Sequence, residues 1–156
     1  MATTTDCTSL AQFAGTNAPY GRGSFGVVKL HVDMSSITAE KGVTVSGADA
    51  DVLQVWDIPV GCMILGALLD VTTACTDSGT ATVAVGTNAG VNTFVAATSI
   101  KTVAKTGMTT SATYGAAQMV YAATDTLDLL FGGTEADIDS GVFDVYLYCL
   151  FNEEAA

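Results

Sequence analysis

The stretch from Asp51 to Thr73 constrains the fold of this chain more than any other. Val52 to Ile58 is rich in β-branched and aromatic residues, which is typical of a strand. Pro59-Val60-Gly61 then predicts a turn, because proline cannot donate to a sheet ladder and glycine tolerates a positive φ. Cys62 to Thr73 predicts a second strand, with one apolar face at its odd positions. Those positions are Met63, Leu65, Ala67, Leu69 and Val71. We expect the two strands to form a hairpin that seeds the core.

Further strands are predicted where apolar residues alternate between turn signals. They cover Ser24 to Asp33, Thr80 to Gly86, Tyr114 to Tyr121, Thr126 to Phe131 and Val142 to Phe151. Residues 34–50 predict a loop with a short strand at Val43 to Val45. Residues 91–112 hold the apolar Phe94, Val95 and Ile100, followed by a Thr-, Lys- and Gly-rich region that predicts a long loop. About eight strands and no convincing helix predict an all-β chain. We expect a single-domain β-sandwich of jelly-roll type.

Composition narrows the possible partners. The chain has 156 residues, enough for one domain with a sizeable core. Hydrophobic residues make up 49% and charged residues 13%, a balance that suits a protein with much of its surface against neighbours. The net charge is −11, and the five basic residues are scattered. Because phosphate recognition needs clustered lysine and arginine, we expect neither nucleic acid nor a membrane as partner.

The N-terminal residues 1–23 are rich in Thr, Ala and Gly and lack a sustained period. Apolar anchors stand alone at Leu10, Phe13 and Tyr20. We predict that residues 1–23 form an extended arm on a neighbouring subunit and that residues 24–156 form the β-sandwich domain. No secretory signal or apolar run long enough to span a membrane is visible.

Motifs that suggest chemistry are incomplete. Gly21 to Val28 matches the kinase phosphate-loop pattern, but the chain lacks the catalytic loop and the D-F-G motif. His31 is the only histidine, and the sequence places no nucleophile beside it. Asp137 and Asp139 begin a calcium-loop pattern that fails at its twelfth position, although a cation shared between subunits stays open. We therefore predict no catalytic residue, no cofactor and no protein-held metal.

The four cysteines are Cys7, Cys62, Cys75 and Cys149. They show no C-x-x-C spacing and none of the density of a disulfide scaffold. We expect reduced thiols in a protein made in a cytoplasm.

Aromatic residues offer a different kind of site. Trp56, Tyr146 and Tyr148 are predicted to be exposed on strands. They could form a sugar-binding platform or a subunit contact, where Tyr and Trp are enriched. With Leu10, Phe13 and Tyr20 they are the predicted interface residues.

Three segments carry a family resemblance: DVLQVWDIPVG from Asp51, an apolar strand ending in DVTTA at Ala74, and TATVAVG from Thr80. With AATDTLDL from Ala122 and the closing apolar strand, they resemble the head-decoration (cement-like) proteins of tailed bacteriophages, cyanophage ones included. The resemblance spans Asp51 to Leu150. It implies a jelly-roll-like domain on the outer capsid surface that binds and bridges major capsid protein subunits. It also implies a homo-oligomer, for which we expect a trimer rather than a dimer, and it supplies no catalytic residues.

Two other functions stay open on the sequence. One is a receptor- or carbohydrate-binding β-sandwich of a tail or head fibre, using Trp56, Tyr146 and Tyr148. The other is a small hydrolase that uses Cys or Ser with His31. We expect a structural virion protein and not an enzyme.

Overall fold

The computed structural model describes residues 4–6, 24–87, 92–107, 121 and 123–151. Within them the chain forms nine strands and one helix. In chain order these are β1 (Thr4–Asp6), β2 (Ser24–Asp33), α1 (Met34–Lys41), β3 (Val52–Ile58), β4 (Cys62–Thr73), β5 (Ala81–Thr87), β6 (Asn92–Ser99), β7 (Ala104–Gly107), β8 (Asp125–Gly133) and β9 (Val142–Phe151). No helix in this part of the chain has the length and apolar character needed to cross a bilayer.

The strands form two sheets, one with the order β2-β9-β4-β7 and one with the order β1-β3-β8-β5-β6. Four antiparallel pairs are nested inside one another along the chain: β2 with β9, β3 with β8, β4 with β7, and β5 with β6. The pairs β9–β4 and β8–β5 join them within each sheet. Apart from β1, the strands thus form a long antiparallel ribbon that is rolled into two sheets of four strands each. This topology is the jelly roll, so the predicted fold class is confirmed. The short β1 adds in parallel to the edge of β3.

Side-chain alternation explains why the two sheets share one core. In β2 the residues Val28, Leu30 and Val32 are buried, and the residues between them face outward. In β9 the buried set is Phe143, Val145, Leu147, Cys149 and Phe151. The rings of Phe131 in β8 and Phe143 in β9 lie 6.4 Å apart across the core. Four strands have the bounds predicted from this alternation, namely β2, β3, β4 and β9.

The predicted apolar face of β4 is wrong over its first half. Cys62 and Ile64 are fully buried, whereas Leu65 is exposed. The register between β4 and β9 shifts between Ile64 and Gly66, so Leu65 is the extra residue of a β-bulge. Beyond the bulge the odd positions Ala67, Leu69 and Val71 point inward, as predicted. A bulge of one residue exchanges the two faces of a strand, because the side-chain period is two.

The predicted hairpin of β3 and β4 is also wrong, although its turn is correct. Gly61 has φ of 82°, and the Cys62 N–H donates to the Pro59 carbonyl at 3.1 Å. The two strands then belong to different sheets, because β3 pairs with β8 and β4 pairs with β9. The turn therefore crosses from one layer of the sandwich to the other.

Helix α1 lies in the segment that was predicted to be a loop. The Asp33 carboxylate caps its first turn by accepting hydrogen bonds from the Ser35 and Ser36 backbone N–H groups at 3.0 and 3.4 Å. Gly42, with φ of 61°, ends it in the left-handed conformation. Met34 and Ile37 are its buried residues. Asp33 and Gly42 are the helix signals that the sequence carried.

Three other expectations need correction or lie outside the described residues. Strand β7 lies in the Thr-, Lys- and Gly-rich region after Ile100 that was predicted to be a loop, and β6 covers Phe94 and Val95, for which no strand was predicted. The predicted strand at Val43 to Val45 is only a single bridge, between Val45 and Ile138. Of the predicted strand Tyr114 to Tyr121, only Tyr121 is described, and it is not in a strand.

Candidate protein-contact surface

The outer face of the four-stranded sheet carries the most distinctive surface of the described chain. Here the outer face means the side chains of β2, β9, β4 and β7 that point away from the core. Strand register places these residues in four rows across the sheet. The rows are Phe25–Leu150–Met63, Val27–Tyr148–Gly66, Lys29–Tyr146–Leu68 and His31–Asp144–Asp70–Lys105. One end of this face is therefore apolar and the other is charged.

The charged end is arranged around Asp144. Lys29 Nζ lies 2.8 Å from one oxygen of this carboxylate, and His31 Nδ1 donates to the other at 2.8 Å. Burial alone would raise the pKa of Asp144, but the hydrogen bonds from Lys29 and His31 outweigh it and hold the pKa below its ordinary value. The same hydrogen bond to Asp144 raises the pKa of Lys29. The carboxylate is thus held ionised.

A second ion pair completes the charged end. Asp70 is the cross-strand neighbour of Asp144 in β4, and Lys105 Nζ in β7 lies 2.7 Å from its carboxylate. This hydrogen bond to Asp70 raises the pKa of Lys105. Two lysines thus face two buried aspartates, and these charges cancel at the charged end of the face. The face is close to neutral on a chain whose net charge is −11.

The apolar end consists of Phe25, Val27, Leu65 and Tyr148, which we call the apolar patch. Their exposed fractions are 61%, 43%, 37% and 38%. The rings of Phe25 and Tyr148 are stacked, with centroids 6.4 Å apart and planes 17° from parallel. From these fractions and usual side-chain areas, the patch offers on the order of 300 Å² of apolar surface, a size that often marks a binding site.

The predicted interface residues fall in different places. Trp56 was expected to be exposed, but this is wrong, because only 6% of it is accessible. Gln54 points outward, and a register shift after Gln54 turns Trp56 inward. Tyr146 is half-buried, with Lys29 Nζ 5.5 Å above its ring. Tyr148 is exposed and belongs to the apolar patch. Leu10, Phe13 and Tyr20 lie outside the described residues, so their interface role stays a prediction.

Sequence reasoning overlooked three members of the apolar patch. Phe25 and Val27 alternate along β2 with the buried Val28 and Leu30, and this alternation was the available signal. Their proximity to Tyr148 follows from the pairing of β2 with β9, which alternation alone does not give. Leu65 was assigned to the core because the bulge was not foreseen.

The residues considered for catalysis are separated by the sheet. His31 lies on the outer face and donates to Asp144. Cys62 and Cys149 lie fully buried on the opposite face, inside the core, and Cys75 is buried as well. A hydrolase pairing of His31 with any of these three thiols is therefore ruled out by geometry, since a nucleophile must lie within hydrogen-bond reach of its base. Cys7 lies outside the described residues.

Asp139 and Ser140 of the 135–141 segment are bound to the neighbouring turn at Asp77. Asp77 accepts hydrogen bonds from the Ser140 hydroxyl at 2.9 Å, the Asp139 N–H at 3.2 Å and the Cys75 thiol at 3.0 Å. The nearby Asp77 side chain raises the pKa of Asp139 by hydrogen bonding and by its charge. Among the residues that the structure describes, no group of three or more His, Cys, Asp or Glu side chains has a metal-binding arrangement.

Comparisons with known proteins give a clear structural result. No family model matches the chain, and no curated protein is significantly similar to it. Its fold is similar to a chain of the cyanophage Pam1 capsid asymmetric unit, with a TM-score of 0.58, 21% identity, and coverage of 92% of this chain and 95% of that one. It is also similar to a chain of the Ralstonia phage GP4 capsid, with a TM-score of 0.60, 12% identity, and coverage of 97% and 99%.

A third similar chain comes from the acid-stable capsid of Helicobacter pylori bacteriophage KHP30, with a TM-score of 0.52, 12% identity, and coverage of 84% and 90%. In all three comparisons this chain spans nine-tenths or more of the other chain. Each of those capsid chains is therefore close to this chain in length. The predicted resemblance to phage head-decoration proteins is confirmed as a similarity of fold to phage capsid chains.

Proposed function

We propose that this protein is a structural component of a phage particle, a decoration or cement subunit that binds the major capsid protein lattice from outside. The observation that carries the proposal is the near full-length match, in both directions, to small chains of three phage capsids. The role is structural rather than enzymatic. The protein is made in the host cytoplasm and acts on the virion.

The chemistry of the described surface supports this role. An apolar patch beside internally paired charges suits a protein contact, because interface centres are depleted in unpaired charge and enriched in aromatic residues. A decoration subunit acts by contact area: each copy makes a modest contact, and the lattice multiplies it. Copies of the chain are also proposed to contact one another.

The N-terminal residues 1–23 are proposed to be an arm that contacts the capsid protein, with Leu10, Phe13 and Tyr20 as its anchors. Thr4–Asp6 of this segment pair with β3 of the same chain, and the three anchors follow that pairing. The domain from residue 24 to residue 156 would then be held at the surface by this arm. Removal of residues 1–20 is expected to weaken capsid binding in a co-sedimentation assay. Circular dichroism of the truncated chain is the control for folding. Unchanged capsid binding by a folded truncated chain would disprove the arm.

The decisive experiment for the function is the copy number in purified particles. Quantitative mass spectrometry against the major capsid protein should give a simple lattice fraction, such as one copy per capsid subunit. A few copies per particle would move the protein to a tail or fibre. Absence from particles would refute a virion role.

Receptor or carbohydrate binding is the second candidate, and one observation favours it. The stacked Phe25 and Tyr148 rings form an exposed aromatic platform of the kind on which sugars lie. Sugar binding also needs free polar groups beside the rings, whereas the charges nearest this platform, on Lys29 and Asp144, are bound to each other. Glycan binding that is lost in both Phe25→Ala and Tyr148→Ala would support this function over the first.

A further inference from the structure

Exposed large hydrophobic side chains are concentrated at one end of the molecule. The described chain has six of them: Phe25, Val27, Val60, Leu65, Val103 and Tyr148. Four form the apolar patch, and Val60 lies in the turn that leads into β4 at the same end. Val103 stands apart, because it precedes Ala104, whose partner Val71 lies at the charged end of the sheet. Within the described residues there is thus one apolar surface and no second one of comparable size.

The charge of the molecule restricts which surface two copies can bring together. Each copy carries a net charge of −11, so most approaches between copies are repulsive. The outer face of the four-stranded sheet is an exception, since Lys29 neutralises Asp144 and Lys105 neutralises Asp70 at its charged end. Two copies can meet here without bringing unpaired carboxylates together.

The apolar patch supplies more than half of the apolar area that a stable pair needs. A standard interface buries about 800 Å² on each partner, of which about 55–65% is apolar. The apolar patch supplies on the order of 300 Å² of that apolar area. The half-buried Met63 and Leu150, which share the row of Phe25, and the exposed Val60 extend it. The charged row forms a polar rim on one side.

We propose that two copies of this chain associate through the apolar patch, face to face, about a two-fold axis. A two-fold contact uses the same surface on both copies, whereas a ring of three needs two different surfaces that fit each other. The described part of the chain offers a single apolar surface, which favours the two-fold pair over the expected trimer. The pair requires no capsid, so it does not depend on the proposed decoration role.

Sedimentation velocity of the full chain tests the proposal in solution. From about 1 μM to about 300 μM, a range in which modest interfaces become populated, the mass should rise from one copy to two and stop there. Higher salt should strengthen the association, because it screens the repulsion between two acidic copies while the contact itself is apolar. A three-copy mass, or a single-copy mass at every concentration, would overturn the two-fold pair.

A matched pair of substitutions locates the contact. Val27→Asp places a carboxylate in the patch of both copies and should weaken dimerisation at least about tenfold, because like charges face each other across the contact. Val103→Asp makes the same change at an exposed valine outside the patch and should leave dimerisation as in the wild type. Equal effects of the two substitutions, or no effect of either, would overturn the assignment to this face.

Asp is unfavourable in a strand, so the two Asp variants could fail to fold. A second pair of substitutions, to Thr, keeps the test valid in that case. Val27→Thr keeps the β-branched shape and should weaken dimerisation severalfold, whereas Val103→Thr should not change it. Thermal unfolding of all four variants, at a concentration where each is a single copy, shows whether the domain is intact. Capsid co-sedimentation with the same variants separates this inference from the decoration role, since either can fail without the other.

Discussion

The outer faces of the two sheets differ, although both sheets cover the same core. On the five-stranded sheet the Gln54 side chain donates to the Thr126 hydroxyl at 3.1 Å, and this hydroxyl donates to Asp128 at 2.8 Å. Among the described residues this sheet exposes no large hydrophobic side chain. The outer face of the four-stranded sheet instead combines the apolar patch with two internally paired aspartates.

This difference separates the requirements of folding from those of contact. The inward positions of both sheets hold large apolar residues because the shared core needs them. Outward positions contribute little to the core, so a water-facing sheet can use hydroxyl and amide groups there. Exposed Phe25 and Tyr148 do not help the chain remain soluble, and their place on one sheet is the reason why we propose that this side of the molecule contacts a protein.

The largest expected effect is the difference between two single-residue deletions, one in β4 and one in its neighbour β9 in the four-stranded sheet. Leu65 is the extra residue of the bulge, so its deletion leaves the inward and outward faces of β4 in place and should cost about 1–2 kcal/mol of unfolding free energy. Tyr146 is paired on both sides without an extra residue. Its deletion should abolish folding, because in half of β9 the buried side chains would move to the outer face and the outer side chains would move into the core.

Urea denaturation followed by circular dichroism distinguishes the two deletions. The variant without Leu65 should show a cooperative transition, and the variant without Tyr146 should show none. Similar stability of the two variants would mean that the bulge does not set the faces of the sheet.

Removal of the central carboxylate is expected to have an intermediate effect. Asp144→Asn should lower the unfolding free energy at pH 7 by about 1–2 kcal/mol, because the hydrogen bonds from Lys29 and His31 lose their charged acceptor. The pKa of Asp144 is lowered in the folded state, so this stabilisation is present above the ordinary value of 3.8. It is lost as the pH falls through the lowered pKa of the folded protein.

The difference in stability between wild type and Asp144→Asn should therefore be full at pH 7 and vanish in strong acid, as measured by urea denaturation across the pH range. Asp57→Asn is the control, since Asp57 is an exposed strand residue on the five-stranded sheet. An equal and pH-independent loss in both variants would refute the role of the paired charges.

The smallest effect is expected on the polar outer face. Thr126→Val removes the hydroxyl that joins Gln54 to Asp128 and should cost about 0.5–1 kcal/mol in urea denaturation. Thr126→Ser keeps the hydroxyl and should keep most of this contribution. If Thr126→Val lowered the unfolding free energy by several kcal/mol, this outer face would contribute substantially to the stability of the fold, contrary to the prediction.

Much of the fold could be predicted from the sequence, because alternation with a period of two is strong in β2 and β9. The exact bounds of four strands follow from it. The pairing partners do not, since β2 pairs with β9 across more than a hundred residues and no local signal encodes that contact. The bulge at Leu65 was missed because an apolar residue fits either face of a strand when read alone. Helix α1 was missed because its polar centre hid the caps at Asp33 and Gly42.

The candidate contact surface could be predicted only in part. Tyr148 was identified because an aromatic residue on the polar side of a strand is unusual. Trp56 was misassigned because a register shift in β3 turns it into the core. The paired charges could not be foreseen, since Lys29, Asp144, Asp70 and Lys105 come from four strands that only the rolled topology brings side by side.

The position of β9 has a consequence for how the protein is made. β9 lies between β2 and β4 and is the only described strand that pairs with β2. The ribosome therefore synthesises β2 to β8 before the four-stranded sheet can close, and closure of this sheet must wait for β9. Contacts so distant along the chain also form slowly. A chain that stops short of β9 would lack the middle of the sheet, so only chains that include β9 can form the apolar patch and the paired charges.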